Sequence, residues 1–556
     1  MSAMSRYLDS IIVAGYFIAV FVAGALLARR FARRETSEFL TGGRTFSWHQ
    51  TALTLLAFAV DPTYMGMAGI AFIWGMYVSQ WTGVHIWLTS WVAAMFLVPI
   101  YWRTRIVTTP EYLERRFNAQ CRALFSVLMA VILVIILASA IYLGALLTTR
   151  LLDWPLSLSV ALIAVVCTFY VIVGGLRTVL SLDVYQGAIL LVTLIVVAWR
   201  VVTEVGGLGA LAAIDVPGSA GTPIGSMVPP LEFDLRSETF FPVPAVLAWA
   251  TVAGLSWIAC NFGMVQRLLA SRTEQDAQKS LLLLAVLANI ACFLTFAVGT
   301  AMRKLHPGLP ADQAFMEVML TMFPTGVRGL LVAGMMAALL SSADGLLTAS
   351  GTLITQDIYL RFLRPTANMQ QVKLVTRVLE AVAMALSLSL VPVAMRARSA
   401  VTFVQDFFGD VLGVVVALYI VGVFSRRATA RAAFIAMITA IPLAVGLHLW
   451  SDWNFAYRGF FSFAYALAAT LILSRFEPPP DPARLVNLTV HTVEDVRGPW
   501  IGLKSWPGLW KWAIGISVGW FAFTGIWEWY GRTQERSPTA ILTSHGVYPR
   551  GSGPAG

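Results

Sequence analysis

The sequence predicts an all-α membrane protein with about 14 transmembrane helices, on three observations. Of its 556 residues, 58% are hydrophobic and only 12% are charged, and the mean hydropathy is +0.75, which excludes a water-soluble fold. Apolar stretches of about 20 residues, long enough to cross a bilayer as a helix, recur along the whole chain. These stretches lack the alternating pattern of barrel strands, so their backbone groups must be satisfied within helices.

The apolar stretches give the following predicted spans: 8–28, 46–75, 80–102, 121–147, 155–174, 184–203, 242–265, 278–300, 327–356, 374–395, 401–424, 430–450, 456–474 and 509–530. The segments 206–244 and 306–326 are too polar to cross and are predicted to form external loops. We therefore expect a transmembrane domain over 1–475, a proline-bearing cytoplasmic linker over 476–508, a final transmembrane helix over 509–530 and a polar tail over 531–556.

The basic residues indicate how the chain is oriented. The formal net charge is +10, but Lys and Arg cluster after odd-numbered spans, for example at 29–34, 103–116 and 426–431. Such clustering is typical of cytoplasmic loops and gives no indication of a nucleic-acid partner. Arg396 and Arg398 are exceptions. We expect a multi-pass protein of the cell inner (plasma) membrane with both termini outside the cytoplasm.

Two predicted spans carry interruptions at mid-membrane. Span two contains Asp61-Pro62, where proline removes a backbone donor and disfavours helix at the preceding residue. Span seven contains polar and glycine residues at 254–256 and 260–263. If spans two to six and seven to eleven form two halves of five, the breaks occupy matching positions. That pattern is typical of transporters built from inverted repeats, with the binding site at the midplane.

Four motifs carry a family resemblance. They are Leu-Thr-Gly-Gly-Arg at 40–44, Thr-Pro-Glu-Tyr-Leu-Glu-Arg-Arg-Phe at 109–117, Gly-Gly-Leu-Arg at 174–177 running to Asp-Val-Tyr-Gln at 183–186, and Ser-Ser-Ala-Asp at 341–344 running to Asp-Ile-Tyr at 357–359. In order and spacing they resemble the sodium:solute symporter family over residues 8–475, nearer its sugar-type branch. The resemblance implies a LeuT-like core of two inverted five-helix repeats, about 46–203 and 242–424, and sodium-coupled uptake of a small organic solute by alternating access.

The resemblance also implies a sodium site between the broken second span and the ninth. Its ligands would be the backbone carbonyls of Leu56, Ala59 and Ala338 and the hydroxyls of Ser341 and Ser342. A hard cation needs several oxygen ligands, and a broken helix can supply free carbonyls. Small residues that merely pack helices together are the alternative interpretation of the serine pair.

Three carboxylates are candidates for the sodium pathway. Asp183, at the predicted start of span six, matches a family aspartate that assists sodium towards the interior, although an aspartate there could also cap the helix. Asp61 and Asp344 lie near mid-membrane, where a carboxylate is costly unless it faces a partner or a water-filled path. Either could add negative charge to the cation path, hold a proton, bind a cationic part of the solute, or be a hydrogen-bonded structural acid.

The solute itself is less defined. The candidate binding residues are Thr63, Tyr64, His85, Gly254, Asn261 and Gln405. Gln405 aligns with a glutamine that contacts sugar in the sugar-type cotransporters, but Thr63, Gly83 or His85, Gly254, and Ala288 next to Asn289 depart from the other sugar contacts. Because buried sugar hydroxyls need partners, these departures weigh against glucose or galactose. A sugar or polyol is slightly favoured over a monocarboxylate or an amino acid.

Other function classes fit less well. The main variant is a proton-coupled symporter that uses Asp61 or Asp344, and a non-transporting membrane sensor is a second alternative. A passive channel does not need paired helix breaks with an ion site. No nucleophile triad, metal cluster or phosphate loop appears, so we expect no enzyme activity. The expected partners are a small organic solute, a sodium ion (Na+) and the lipid bilayer.

Overall fold

The computed structural model describes residues 3–31, 42–60, 63–218, 221–236, 242–396, 400–494 and 498–535. The fold there is helical, with two isolated β-bridges beside the helices. Ten of the described helices are long and apolar enough to cross a membrane. The prediction of an all-α, multi-pass protein is confirmed.

We number the α-helices in chain order. They are α1 Ala3–Phe31, α2 Trp48–Ala59, α3 Thr63–Trp74, α4 Ser79–Val92, α5 Val98–Thr104, α6 Thr109–Arg116, α7 Ala119–Leu152, α8 Leu156–Val205, α9 Leu208–Ala212, α10 Val243–Trp249, α11 Phe262–Leu269, α12 Glu274–Leu305, α13 Ala314–Thr321, α14 Val327–Leu353, α15 Met369–Arg396, α16 Ala400–Phe424, α17 Ala430–Trp450, α18 Phe455–Leu473, α19 Gly502–Ser505 and α20 Leu509–Glu535. Wider π-helical turns occupy Ala93–Leu97, Ala250–Gly254, Ser256–Cys260 and Ile354–Leu363.

The second predicted span is two helices. Helix α2 ends at Ala59, and Val60 leaves the helical conformation with φ −102° and ψ 75°. Helix α3 begins at Thr63. In a continuous helix the carbonyl of Phe58 would accept from the amide of residue 62, but Pro62 has no N–H to give. The break therefore follows directly from the sequence.

The seventh predicted span is interrupted in a different way. After α10 it passes through two π-helical segments, and at Asn261 the backbone becomes extended, with φ −64° and ψ 118°. The side-chain oxygen of Asn261 then accepts from the amide of Gly263 at 2.8 Å and caps the new helix α11. Asparagine is suited to this position because its side chain replaces a missing backbone partner.

Predicted spans five and six are two parts of α8, joined at a break. Gly175 has φ 64° and ψ −177°, a conformation that only glycine adopts without strain. The second part, Gly175–Val205, therefore begins well before the predicted boundary at residue 184.

Helix α14 lies at the centre of the bundle and packs mainly against α7 and α8. Its start is fixed by α1. The carboxylate of Asp9 accepts the amides of Gly326 at 2.7 Å and Gly329 at 3.0 Å, and it pairs with the guanidinium of Arg328. Asp9 thus accepts hydrogen bonds from amides at the helix start that lack partners within the helix, and it also neutralises a buried cation.

The segments predicted as loops and linker contain structure of their own. The segment 206–244 includes α9, and 306–326 includes α13, whose residues Ala314 and Phe315 are buried. The segment 476–508 follows the bundle closely. Tyr112 donates its hydroxyl to the carbonyl of Leu488 at 3.0 Å, and the amide of Val490 donates to Val423 at 3.0 Å.

Helix α20 joins two distant regions of the chain. The indole of Trp520 donates to Gln80 in α4 at 3.0 Å, and the amide of Gln80 donates to Thr524 at 3.0 Å. About two turns beyond Trp520, Trp527 donates to the carbonyl of Gly225 at 2.8 Å, and Glu528 accepts from Ser226 at 3.1 Å. Helix α20 therefore links α4 to the segment that precedes α10.

Candidate functional site

The end of α2 meets the middle of α14 at a cluster of oxygen atoms. The hydroxyl of Ser342, which is 1% exposed, lies 3.3 Å from the carbonyl oxygens of both Ala57 and Phe58. These carbonyls come at the helix break, one residue away from the predicted ligands Leu56 and Ala59. The carbonyl of Leu56 also accepts from the amide of Val60 at 2.9 Å.

The other two predicted sodium ligands lie on the same helix. Ala338 and Ser341 are both fully buried in α14. The hydroxyl of Ser341 has no hydrogen-bond partner among the described residues, and the carbonyl of Ser341 lies 3.5 Å from a guanidinium nitrogen of Arg267, the partner of Asp183. The structure thus brings the serine pair, the break in α2 and Asp183 to one place.

Asp183 forms a fully buried ion pair with Arg267 of α11. The guanidinium donates to the carboxylate at 2.8 Å and to the carbonyl of Gly263 at 2.9 Å. It also lies over the ring of Phe58, 4.1 Å from the ring centre, and 3.5 Å from the carbonyl of Ser341. The guanidinium cation of Arg267 therefore lies beside the oxygen cluster, where it contacts a carboxylate, a carbonyl and an aromatic face.

This pair changes the interpretation of both residues. Asp183 lies about two turns inside the second part of α8, so the alternative that it caps a helix start is wrong. In the sequence, Arg267 is one of several basic residues that follow predicted span seven. No local signal separates it from the loop arginines, because its partner is 84 positions away in the sequence.

Glycine allows α14 to approach this pair closely. A methyl group added at Gly345 would lie 2.5 Å from a terminal nitrogen of Arg267 and 2.6 Å from the ring of Phe58. The preceding residue, Asp344, is fully buried. The other predicted mid-membrane carboxylate, Asp61, lies outside the described residues.

The described solute candidates lie around α4 and the break in span seven. The ring nitrogen Nδ1 of His85 lies 2.6 Å from the carbonyl of Trp81, so Nδ1 carries the hydrogen and Nε2 can accept one. Gly254 packs closely on α4, since a methyl group there would lie 3.1 Å from the carbonyl of His85. The structure therefore brings His85 and Gly254 together.

Asn261 and two aromatic residues complete the described part of this region. The amide nitrogen of Asn261 is buried and has no hydrogen-bond partner among the described residues. The ring of Trp257 stacks on Phe58 with centres 5.8 Å apart, which links the break in span seven to the oxygen cluster. Sequence reasoning missed Trp257 and Phe58, which look like ordinary core residues. The side chains of Thr63, Tyr64 and Gln405 lie outside the described part of the structure.

Comparison with known proteins decides the family. The model of the sodium:solute symporter family matches residues 39–440. The chain belongs to the sodium:solute symporter family. This symporter is therefore a multi-pass membrane protein that moves a small solute with sodium as the coupling ion, as the four motifs predicted. The family and the relatives described below are transporters.

The symporter is similar to several cotransporters along most of its length. A sodium/glucose cotransporter of Vibrio parahaemolyticus is 25% identical over 468 residues, covering 79% of this chain and 85% of the relative. A human sodium/myo-inositol cotransporter is 26% identical over 498 residues, covering 82% of this chain and 68% of the relative. The solved structure of a Na+-coupled sialic acid symporter superposes with a TM-score of 0.76 at 20% identity, covering 85% of this chain and 98% of that one, so the two share a fold.

Proposed function

We propose that this symporter binds its coupling sodium ion between the break after α2 and the middle of α14. The ligands are the carbonyls of Leu56, Ala59 and Ala338 and the hydroxyls of Ser341 and Ser342. The observation that carries the proposal is the position of the Ser342 hydroxyl, 3.3 Å from two carbonyls at the helix break. Neutral oxygens from a broken helix suit a monovalent hard cation, which needs several ligands but little counter-charge.

The carboxylates Asp183, Asp61 and Asp344 belong to the sodium pathway in this proposal. Asp183 pairs with Arg267, which also lies 3.5 Å from the carbonyl of Ser341, so the carboxylate is close enough to the serine pair to turn from the arginine to an arriving sodium ion. Departure of sodium restores the ion pair.

For the solute, we propose a sugar or polyol, ahead of a monocarboxylate or an amino acid. The glucose and myo-inositol named in the relatives support this order. The binding residues in this proposal are Thr63, Tyr64, His85, Gly254, Asn261 and Gln405. The free amide of Asn261 and the acceptor nitrogen of His85 offer one donor and one acceptor, as a hydroxyl group requires.

The proposed architecture follows the sequence-based expectation. It has about 14 transmembrane helices, with a core of two inverted five-helix repeats over about 46–203 and 242–424. The segment 476–508 is a cytoplasmic linker, 509–530 a final transmembrane helix and 531–556 a polar tail, in an inner membrane with both termini outside the cytoplasm. Sodium holds α2 against α14 in the outward-facing state, and low internal sodium favours release.

The test is uptake of a pooled panel of labelled solutes into proteoliposomes under an inward sodium gradient, a proton gradient or neither. Wild type is compared with Ser342→Ala and with Ser350→Ala. Ser350 is a matched control, because it is buried in the same helix and its hydroxyl donates to the carbonyl of Leu347 at 2.9 Å, its one hydrogen bond to the described residues. Sodium-driven uptake should be lost in Ser342→Ala and kept in the control.

A second candidate is coupling to protons through Asp61 or Asp344, because Asp344 is fully buried next to the oxygen cluster. In that case solute accumulation follows the proton gradient and survives Ser342→Ala. Asp344→Asn would then abolish accumulation. That pattern would overturn the proposed sodium site.

A further inference from the structure

Another buried carboxyl lies in α15, apart from the proposed sodium site. Glu380 is 0% exposed, and neither of its carboxyl oxygens has a hydrogen-bond partner among the described residues. It follows Met369, the first residue of α15, by 11 positions, or about 16 Å of helix. The carboxyl is therefore well inside a helix long enough to span a membrane, where an unpaired charge is costly.

The carboxyl occupies a notch in α14. The Cγ atom of Glu380 lies 2.5 Å from the place where Gly351 would carry a methyl group, so only glycine leaves room for it. One turn away, the hydroxyls of Thr376 and Thr355 lie 3.1 Å apart. Glu380 and Thr376 lie four residues apart on α15. They face Gly351, near the end of α14, and Thr355, four residues later in the π-helical segment that follows α14.

The charged residues around this notch provide no ion-pair partner for an ionised Glu380 among the described residues. Its described electrostatic partner is Arg377 on its own helix, and no ion pair joins the two among the described residues. The charged residues on the neighbouring elements are Arg122 and Arg150 of α7, Arg177, Asp183, Arg200 and Glu204 of α8, Arg328 and Asp344 of α14, Asp357 and Arg361 of the π-helical segment, and Asp406 and Asp410 of α16, whose side chains lie outside the described part.

Several of these charges are engaged elsewhere. Arg122 bonds to Asp357 and Glu114, and Arg361 bonds to Glu114. Asp183 pairs with Arg267. A carboxylate at position 380 would therefore be both desolvated and unpaired, while the protonated acid is neutral and needs no counter-charge.

We propose that Glu380 is a proton-binding site of this symporter, and that loss of its proton at alkaline pH disrupts the contact of α14 with α15 and weakens sodium binding. In the step itself, the O–H bond of the carboxyl breaks and the proton passes to water, which leaves a carboxylate that must leave the notch to be solvated. Helix α14 carries both the notch and Ser342, nine residues apart, so a shift at Gly351 reaches the oxygen cluster. This inference rests on the proposed sodium site.

The first test measures the protonation of Glu380 without a transport assay. Infrared spectra of the purified symporter in lipid, recorded during an alkaline titration, should show the carbonyl band of a protonated carboxylic acid that is lost as the pH rises. The band should be absent in Glu380→Gln and unchanged in Glu204→Gln, a control whose side chain is 46% exposed. A spectrum of Glu380→Gln identical to that of wild type would overturn the proposal.

The second test measures whether the protonation of Glu380 affects sodium binding. The sodium concentration for half-maximal uptake in wild type should rise roughly tenfold between about pH 6 and about pH 9, and should stay low in Glu380→Gln. Equal rises in both would overturn the link to sodium. If Glu380→Gln does not fold, Gly351→Ala replaces it: the displaced carboxyl is better solvated, so the rise should begin at lower pH than in wild type.

The two proposals fail in different ways. Absence of sodium-driven uptake at about pH 6 in wild type would contradict the sodium site but would leave the infrared band as a test of Glu380.

Discussion

At the scale of single residues, the buried pair of Asp183 and Arg267 is the feature with the largest expected effect. Removing one partner leaves the other charge desolvated, which typically costs about 3–5 kcal/mol of stability. We therefore predict that Arg267→Met strongly lowers the free energy of unfolding in detergent. The double variant Asp183→Asn with Arg267→Met should recover most of the loss, and a double-mutant cycle of unfolding measurements checks this. Equal losses in the single and double variants would mean that packing of the guanidinium on Phe58 dominates.

The carboxyl of Glu114, in the short helix α6, gives a prediction about pH. Burial raises its pKa, but hydrogen bonds from Arg122 at 2.6 Å and Arg361 at 2.7 Å and their charges outweigh burial, so the pKa lies below its usual value of 4.5. The folded state therefore binds the proton less tightly than the unfolded state does. The stabilising contribution is complete above 4.5 and is lost as the pH falls through the lower folded value.

Thermal unfolding of wild type and Glu114→Gln over an acidic pH series checks this sign. The melting temperature of the variant should be lower than that of wild type at neutral pH, and the gap should close in acid. The gap should be modest, because the side chain of Arg361 is 48% exposed and solvent screens the pair. A gap that widens in acid would show that the sign is wrong.

At the scale of elements, close packing through Gly345 sets the distance between α14 and α11. Gly345→Ala should displace Arg267 or Phe58 and reduce both stability and sodium affinity, because the added methyl group meets both within 2.6 Å. The matched control is Gly15→Ala in α1, where nothing lies within 4 Å of the added methyl group. That change should stabilise the protein by up to about 1 kcal/mol through helix propensity. Unfolding and sodium-titrated uptake of both variants measure the difference.

The elements also show what sequence can predict. The break after α2 was predictable because Pro62 lacks a donor, and the break at Asn261 because a capping residue follows glycine and serine. The serine pair was predictable from its motif. By contrast, α13 is short, so its burial depends on neighbours distant in sequence, and the pairing of Arg267 with Asp183 depends on how α8 and α11 meet. Glu380 belongs to no motif, and only the packing of α15 on Gly351 shows it to be buried.

At the scale of the whole molecule, α20 holds together regions that lie far apart in the chain. Trp520 covers Gly83 of α4, where an added methyl group would lie 2.5 Å from the indole ring, and it bonds to Gln80. We predict that Trp520→Ala lowers the free energy of unfolding by about 1–3 kcal/mol and weakens solute binding through α4. Trp529→Ala is the control, since Trp529 is 66% exposed on the same helix. Equal effects of the two variants on unfolding would contradict this role.

The contact between Asp9 and the start of α14 has a consequence for how the protein is made. Asp9 leaves the ribosome before its partners Gly326 and Arg328, which follow it by more than 300 residues. Until α14 is inserted, α1 carries a carboxylate that has not met these partners, and without Asp9 the amides at the start of α14 lack this acceptor. Synthesis of the N-terminal helix as a separate polypeptide should therefore rescue a chain that begins after it, provided that both are inserted in the same membrane.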